Sequence, residues 1–424
     1  MRHAALTRFV PFLARLRRDA GGNVLALTGA GTFALVGGAG LATDAVQWYM
    51  WKRQLQQATD AGALAGAHAL SQGADSVDTP VQRELDRNSN TQIVVRALNT
   101  PPASGAFEGE AGAVEVVATT QRRLPFSSLF LRTPPSIRTR SVAAMVRDGE
   151  HCVIALAPDG IGVNLAGTAN VELGCGVAAN SEGANAIDLD GNSWLKGSPL
   201  TAVGGITSGS SNIASGTQLS PYSVAQKDPL ESRDLTVPST PSGCAANNLT
   251  VQPNRPPVTL APGRYCGGMT LKGEVTLSPG VYIIDEGSFY LTSQAKVTGE
   301  GVTIILTGST PGKIATVKMD GGAAADLRAP TGAEDDTWHD ILFFQDQAAE
   351  GQLSSFAGGS SAHLKGITYM PGGTLRYTGG SGQSSECLFL VASRVTFTGT
   401  TSIRNQCPDE VADTFAATSV RVVE

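Results

Sequence analysis

The sequence predicts a mainly β protein that begins with a transmembrane α-helix, continues as a small α+β module and ends in a right-handed parallel β-helix. Three observations carry this prediction: a charge-free stretch near the N-terminus, an apolar period of three to four residues after it, and short apolar triplets between glycine-bearing turns from His151 onward. The chain has 424 residues, 50 of them glycine, and a formal net charge of −6. Because the net charge is negative and the arginines beyond the charge-free stretch are dispersed, we expect no nucleic-acid partner.

Residues 20–43 contain no charged side chain. At about 1.5 Å per residue, a helix of this length covers a hydrocarbon core of about 30 Å. Five arginines precede it, so the positive-inside rule keeps the head, residues 1–19, in the cytoplasm and exports the rest: Arg2, Arg8, Arg15, Arg17 and Arg18. A cleaved signal peptide is the alternative, but its apolar region is usually about 7–15 residues long, and no A-x-A site precedes Asp44. We therefore expect a retained single-pass anchor.

Small residues recur at every fourth position inside this stretch: Ala26, Ala30, Ala34, Gly38 and Ala42. In lipid, small side chains at this spacing let a second helix approach closely and gain van der Waals contact. The alternative is that alanine and glycine are simply abundant here. The stripe predicts a helix-packing face in the membrane.

The helix is expected to continue past the membrane surface. Apolar and small residues follow a spacing of three to four, with polar residues between them: Trp48, Trp51, Leu55, Ala58, Gly62, Ala65 and Ala69. Such a narrow face packs closely against a partner or against the chain's own strands. Trp48, Tyr49 and Trp51 lie where an interfacial aromatic belt would be, and Gly73 and Pro80 are expected to end the helix.

The run GGNVLALTGAGTFALVGGAGLATDAVQWYMWKRQLQQATDAGALAGAHAL resembles the N-terminal module of the Flp pilus-assembly TadE/TadG-like family. The matching positions are Gly22, Asn23, Asp44, Trp48, Leu55, Gln56, Ala58, Asp60, Ala61, Ala63, Leu64, Ala65, Gly66 and Ala67. The resemblance implies a pilin-like module in the bacterial inner membrane. Pilins cut by a prepilin peptidase usually carry Glu at the fifth position after the cut; counted from Gly22, that position is Leu27, which favours retention as an anchor.

Residues 44–148 are expected to form this pilin-like α+β module. A short helix is predicted near residues 80–88, and β-branched alternation predicts strands at 114–119 and 137–146. Residues 124–131 (LPFSSLFL) form a hydrophobic connector between the strands. A long helix followed by a few antiparallel strands is a pilin-like arrangement, and the module is expected to end near Asp148.

Residues 149–424 carry the β-helix prediction. LAPGRY at Leu260 and LSPGVY at Leu277 are near-copies, and the imperfect period of roughly 17–25 residues is typical of stacked coils. Because this period is irregular, a β-sandwich with strands of similar length is the alternative.

The Gly/Ser-rich region also resembles extensions found in the TadE/TadG-like family. Clustered prolines at 221–257 predict an excursion on the surface of the coils.

All six cysteines lie in this exported half: Cys152, Cys175, Cys244, Cys266, Cys387 and Cys407. An even number outside the cytoplasm favours disulfides. Sequence neighbours are 23, 22 and 20 residues apart, each about one coil. Stacked coils place equivalent positions about 4.8 Å apart, which suits a disulfide. We therefore predict Cys152–Cys175, Cys244–Cys266 and Cys387–Cys407, and no metal site, because no C-x-x-C motif occurs and the five histidines are scattered.

One acidic cluster has to be weighed as a catalytic site, because β-helices also host polysaccharide-acting enzymes. It contains Glu334, Asp335, Asp336, His339 and Asp340, followed by Asp346. Paired carboxylates about 5–9 Å apart cleave glycosides, and carboxylates also bind calcium. Here they crowd one loop, which a solvated charged surface explains equally well. If the chain is an enzyme, Asp335, Asp336 and His339 are its candidate catalytic residues; we expect no catalysis and no cofactor.

These observations predict a non-enzymatic, membrane-anchored minor pilin-like component of a Flp/Tad-type pilus or of its assembly machinery, as the resemblance implies. Its bulk would be periplasmic or exposed at a pilus tip. Its expected partners are other pilus or pilus-assembly subunits, the membrane, and a glycan or surface ligand. The alternative is an anchored carbohydrate-active enzyme or glycan-binding adhesin built on a β-helix.

Overall fold

The computed structural model describes residues 23–89, 93–357, 362–379, 382–384, 388–399, 402–405 and 415–424. The chain is mainly β with one long N-terminal helix, and it divides into two compact units. The first unit is Met1–Met145 together with Val420–Glu424, and the second is Val146–Ser419. The boundary lies close to the one expected at Asp148. The sequence did not predict that the last five residues return to the first unit, where Glu424 accepts a backbone hydrogen bond from Val142.

Two helices belong to the first unit: α1 (Asn23–Ser71) and α2 (Asp78–Arg87). Helix α1 runs for 49 residues without a break. It ends where Gly73 adopts a φ of +79°, a left-handed conformation that costs glycine little. Helix α2 is amphipathic and buries Val81 and Leu85, which fixes its apolar face toward the rest of the unit.

An antiparallel sheet completes this unit: β1 (Val94–Asn99), β2 (Ala113–Gln121) and β3 (Ser136–Ala155). The strands predicted at 114–119 and 137–146 lie inside β2 and β3. Helix α1 buries Ala58, Ala63 and Ala67 in a cluster that includes Val114 and Val116 of β2. Small side chains on the helix let its backbone approach the sheet closely.

The second unit continues from the end of β3 through short strands. They are β4 (Val163–Ala166), β5 (Asn170–Leu173), β6 (Gly176–Ala179), β7 (Ile187–Leu189), β8 (Trp194–Lys196), β9 (Leu200–Ala202), β10 (Ile206–Ser208), β11 (Leu219–Ser220), β12 (Cys244–Val251), β13 (Val258–Leu260), β14 (Gly263–Leu271), β15 (Glu274–Leu277), β16 (Gly280–Asp285), β17 (Ser288–Leu291), β18 (Lys296–Gly299), β19 (Val302–Thr307), β20 (Thr316–Met319), β21 (Ala324–Arg328), β22 (Ile341–Gln345), β23 (Leu353–Ala357), β24 (Ala362–Thr378), β25 (Gly382–Ser384), β26 (Leu388–Thr398) and β27 (Ser402–Asn405). The last strand, β28 (Ala416–Val422), leads back to the first unit.

The strands of this unit pair in parallel, most of them with a strand a few elements further along the chain. The stretch of chain from one strand to its next parallel partner is here called a coil. One ladder runs β13–β15–β18–β21–β24, and two others run β14–β16–β19–β22–β24 and β14–β17–β20–β23–β24. Because β14 and β24 each take part in both of the last two ladders, eight parallel strands close into a ring. Every pairing described within Val146–Ser419 is parallel.

The near-copies LAPGRY and LSPGVY occupy neighbouring coils. Leu260 pairs with Leu277, and the rings of Tyr265 and Tyr282 stack with centroids 6.1 Å apart. In both copies the tyrosine hydroxyl donates to the carbonyl four residues earlier, Tyr265 to Ala261 at 2.6 Å and Tyr282 to Ser278 at 2.8 Å. The repeated motif therefore forms the same turn in two neighbouring coils.

The interior of the coils is a single apolar cluster with stacked aromatic rings. Phe356, Tyr377 and Phe397 form one such stack, with centroids 4.8 and 5.6 Å apart. Equivalent positions on stacked coils lie about 4.8 Å apart, so one aromatic residue per coil produces a continuous column. This column adds dispersion contact to the backbone ladders.

The coils do not stack in chain order. Near the end of the chain, β26 pairs with β3 and β4, as Leu390 with Val153 and Val395 with Val163. On its other side β3 pairs with β6, and the ladder continues through β9 to β11. The first coil of the chain therefore lies in the interior of the stack, between the last coil and the second.

Residues 221–243, here called the strap, connect the β11 end of the stack to the coil that begins with β12. Its contacts run from the coil of β6 to that of β14: Gln226 with Asn180, Asp228 with Tyr369, Arg233 with Thr337 and His339, and Pro238 with Arg264. Seven ladder steps of about 4.8 Å separate β6 from β14, which is about 34 Å. The strap crosses these coils with one short 3₁₀-helix in its course, Glu231–Arg233.

The strap confirms part of the excursion predicted at 221–257 and corrects its end. Strand β12 begins at Cys244 and β13 at Val258, so the later half of the predicted excursion already belongs to the coils. The sequence CAANNLTV of β12 has few large apolar residues because its side chains are mostly exposed at the edge of the ladder. An edge strand has one neighbour and needs less apolar patterning than an inner one.

Candidate functional site

Helix α1 is long and apolar enough to cross a membrane. The stretch Ala26–Ser71 contains a part that is long and apolar enough to span a bilayer, and 0% of this part is buried in the chain's own fold. A core helix of a soluble protein would bury much of such a stretch. The N-terminal half of α1 can therefore anchor the chain in a membrane.

The small-residue stripe of this half is uncovered. Ala30, Ala34, Gly38 and Ala42 are exposed, and a Cβ added at Gly38 would meet no heavy atom within 4 Å. Trp48 is 38% exposed. A second helix can approach these positions without any rearrangement of the described chain.

Further along, the predicted packing face is already used by the chain itself. Leu55 is buried with Ala118 and Ile137, and Trp51 packs at the edge of the same cluster. Ala58 is fully buried.

The same packing continues one turn later. A Cβ on buried Gly62 would lie 3.2 Å from Cγ of Leu85, and Ala65 is half-buried. A partner subunit therefore does not reach Leu55, Ala58 or Gly62; they pack against the chain's own helix and strands, the second arrangement that the sequence allowed.

Asp44 holds a segment from far along the chain against α1. Its carboxylate accepts the backbone N–H of Phe126 at 3.0 Å, and it also accepts both the N–H and the hydroxyl of Ser127. These residues begin a short 3₁₀-helix, Ser127–Leu129. Desolvation alone would raise the pKa of Asp44, but the Ser127 hydroxyl and the two N–H groups outweigh it and lower the pKa. The carboxylate therefore stays ionised as the anchor of this segment.

The ring of Phe126 covers Gly40, one helical turn before Asp44. A Cβ added at Gly40 would lie 2.3 Å from a ring carbon, so only glycine fits under the ring. The sequence showed Asp44 as a family position and 124–131 as a connector, but no signal linked them. The contact joins residues 82 positions apart, beyond the reach of helical or strand periodicity.

The first unit contains a buried polar network centred on Glu115. Glu115 is 3% exposed and accepts from Arg140 and from Asn99. Desolvation acts to raise the pKa of Glu115, but hydrogen bonds from Asn99 and Arg140 prevail and lower it to about 2. Arg140 also pairs with Glu424 at 2.5 Å, which ties the returning C-terminal residues to β3.

The second unit contains two of the three predicted disulfides. Cys152–Cys175 and Cys244–Cys266 both have Cα atoms 5.7 Å apart. Each joins neighbouring coils, as the spacing predicted. Cys387 and Cys407 lie outside the described residues.

The acidic loop around Asp335 is built into the fold. Asp335 accepts the backbone N–H groups of Thr337 and Trp338 at 2.8 and 2.9 Å, and His339 lies 2.7 Å from Asp340. Asp336 is exposed. Asp335 therefore stabilises the turn of its own loop.

Neighbouring residues fasten this loop from both sides. Glu334 forms a forked ion pair with Arg328 at 2.8 and 3.0 Å, and this pairing holds the pKa of Glu334 at about 2. Arg233 of the strap donates to the carbonyls of Thr337 and His339. The charged loop therefore connects Arg328 of β21 to Arg233 of the strap.

A cleft of about 250 Å³ lies on the coil face beside this loop. Its lining mixes both charges: Glu300, Asp326, Leu327, Arg328, His363, Leu364 and Lys365. Among the described residues, no group of three or more His, Cys, Asp and Glu side chains is placed to hold a metal ion.

The similarity of this chain to a known protein family lies in its N-terminal helix. Neither the curated proteins nor the solved structures gave a match to this chain. One family model does match, and it covers most of α1 but none of the coils. Residues 22–69 match the family described as Tad, putative Flp pilus-assembly TadE/G-like, which confirms the resemblance read from their sequence.

Proposed function

We propose that this chain is a membrane-anchored, minor pilin-like component of a Flp/Tad-type pilus or of its assembly machinery. The observation that carries the proposal is the continuity of α1. The segment that matches the pilus-assembly family is one helix whose first half is exposed and apolar and whose second half is locked into an α+β unit. Such a helix joins a membrane anchor rigidly to the folded α+β unit.

The second unit is then the exported display domain, a right-handed parallel β-helix. The parallel ladders and the ring of eight strands support this fold, and disulfides between neighbouring coils suit an oxidising compartment outside the cytoplasm. The chain crosses the membrane once, with the arginine-rich head cytoplasmic and the two units periplasmic or at a pilus tip. A domain held by both of its chain ends is well suited to serve as a spacer or adhesive surface.

The proposed role is structural, without catalysis. The support comes from the acidic loop, in which Asp335 is occupied by backbone N–H groups and Glu334 by Arg328. A nucleophile or general acid needs a carboxyl group that is free to face a substrate. The proposed chain acts by packing between subunits and by display of its second unit.

The test is the recovery of pilus-assembly proteins with the tagged full-length chain from detergent-solubilised membranes of the producing bacterium. In the Gly38→Leu variant we expect recovery to fall several-fold, because a branched side chain on the small-residue stripe keeps a partner helix from approaching. The fold itself should not change, since a Cβ at Gly38 meets nothing within 4 Å.

Gly37→Leu is the matched control. It makes the same substitution at nearly the same depth, at a glycine that also has no heavy atom within 4 Å, but about 100° around the helix. We expect it to recover pilus components like the wild type. Equal losses in both variants would reject the stripe as the contact, and absence of pilus components from the wild-type preparation would reject the proposed function.

A further inference from the structure

Three consecutive large apolar residues are exposed at the end of the segment that Asp44 holds. Leu129, Phe130 and Leu131 are 73%, 76% and 53% exposed. Leu124 at the start of the same segment is buried, so the segment folds its first apolar side chain inward and presents the last three outward. A contiguous exposed apolar group on a protein surface marks a contact with a partner or a membrane.

The position of these residues along α1 is fixed. The ring of Phe126 covers Gly40, which belongs to the last turn of the charge-free stretch, and Phe130 lies against Phe126 with ring centroids 6.2 Å apart. Asp44, the first charged residue after that stretch, receives the hydrogen bonds of Phe126 and Ser127. Gly40 and Asp44 are about 6 Å apart along the helix axis, so the apolar group lies at the edge of the hydrocarbon core.

The surroundings have the composition of a membrane interface. On α1, Leu41, three residues before Asp44, is 60% exposed, and Tyr49, five residues after it, is 63% exposed. Basic residues adjoin the segment in sequence, with Arg123 before it and exposed Arg132 directly after Leu131. Arginines at this level pair with lipid phosphates, while tyrosine is favoured at the headgroup region.

We propose that residues 129–131 form a wedge that inserts into the membrane leaflet adjoining the α+β unit, beside α1. This inference rests on the proposed membrane anchoring. The occupant of the apolar surface is lipid acyl chain, because Phe126 and Asp44 hold this segment at the end of the exposed, charge-free stretch of α1. An interfacial segment of this kind buries its apolar side chains about 5–10 Å into the headgroup and acyl boundary.

The wedge changes what the anchor does. A single spanning helix can tilt and can turn about its own axis, and interfacial anchors limit both movements. A second membrane contact, held to α1 through Asp44, adds such an anchor on one side of the helix. The α+β unit is then held at one orientation relative to the membrane plane.

The experiment measures where a probe at Phe130 resides when the full-length chain is reconstituted in vesicles of phosphatidylethanolamine and phosphatidylglycerol. A ketone-bearing amino acid at position 130 carries a nitroxide, which leaves the disulfides untouched. Collisions with oxygen, which concentrates in lipid, are compared with collisions with a water-soluble nickel complex. Separate proteins carry the label at Phe33, which is 85% exposed within the span, and at Arg83, which is exposed on α2.

We expect the probes at 33 and 130 to collide mainly with oxygen and the probe at 83 mainly with the nickel complex. A probe at 130 in water with the probe at 33 in lipid overturns the wedge and leaves the anchoring intact. Water at both 33 and 130 overturns the anchoring, and the wedge with it. Spin–spin broadening at 130 that disappears on dilution with unlabelled chain shows a second copy as the occupant and also overturns the lipid assignment.

Discussion

His151 is a buried imidazole in the second unit with little to stabilise a positive charge. It is 1% exposed, its Nε2 lies 3.0 Å from Oγ1 of Thr201, and its Nδ1 has no hydrogen-bond partner among the described atoms. Burial lowers the pKa of His151 to about 4, well under the usual 6.5, because the charged ring would lose its water. The folded protein therefore keeps this ring neutral where the unfolded chain would already be protonated.

Stability should consequently depend on pH between about 6.5 and 4. A folded-state pKa below the unfolded value means that the unfolded chain binds the proton first, so the contribution is complete above pH 6.5 and is lost as pH falls. The expected loss is about 3 kcal/mol of unfolding free energy on going from pH 7 to pH 4. Urea unfolding of the full chain in detergent at several pH values measures it.

The His151→Gln variant isolates this contribution, since glutamine still bonds Thr201 but does not titrate. Carboxylates such as Glu115, whose pKa is also lowered, weaken both proteins in acid and cancel in the comparison. The variant should lose less stability than the wild type over the same pH range. Parallel pH profiles for the two proteins would contradict the assignment.

At the scale of elements, the strap is held by few residues, and Arg233 is the central one. Its guanidinium donates to the carbonyl of Thr337 at 2.7 Å and to that of His339 at 3.1 Å. Asp335 and Asp340 face the same positive charge. One side chain thus joins the strap to the acidic loop of another coil.

We expect Arg233→Ala to loosen both elements without unfolding the coils. Hydrogen exchange at the loop amides around Thr337 and at the strap should speed up by about ten- to a hundredfold, which corresponds to the 1–3 kcal/mol that charge-assisted hydrogen bonds contribute. Exchange in the ladders of β16 and β19 should not change. Arg255→Ala, at an exposed arginine in the turn after β12, is the control and should leave the loop as protected as in the wild type. Unchanged exchange in Arg233→Ala would show that the strap is held elsewhere.

The elements that the sequence predicts well are those whose signal is local. The charge-free stretch and the three-to-four period gave α1, and the copies at Leu260 and Leu277 gave coils that pair at those same leucines. Cysteines one coil apart gave two disulfides for the same reason. The bond from Ser127 to Asp44 and the return of Glu424 to Arg140 left no periodic trace, because each joins segments whose spacing follows from the completed fold.

At the scale of the whole molecule, the stacking order is the feature that no local pattern could reveal. Strands β26 and β4 lie more than 200 residues apart in sequence, yet Thr396 pairs with Asn164. The strap makes this order possible, because it carries the chain from the first coils to the opposite end of the stack. The later coils follow one another back toward the first coil, and β26 in the last of them pairs with β3 and β4.

This order is testable with an engineered disulfide in the full-length chain. Asn164→Cys combined with Thr396→Cys should form a disulfide under mild oxidation, because paired strands lie about 4.8 Å apart and disulfides accept Cα distances of about 4.4–6.8 Å. Both side chains are only half-buried, so the substitution does not disturb the apolar interior. Peptide mapping by mass spectrometry detects the new crosslink beside the native ones.

Asn164→Cys with Lys318→Cys is the control pair, because four ladder steps, about 19 Å, separate β4 from β20. If the coils were stacked in chain order, several coils would also separate β4 from β20, and the first and last coils would lie at opposite ends. Neither pair would then come within disulfide reach. A crosslink at 164–396 and none at 164–318 requires the interior position of the first coil, whereas absence of the 164–396 crosslink would refute it.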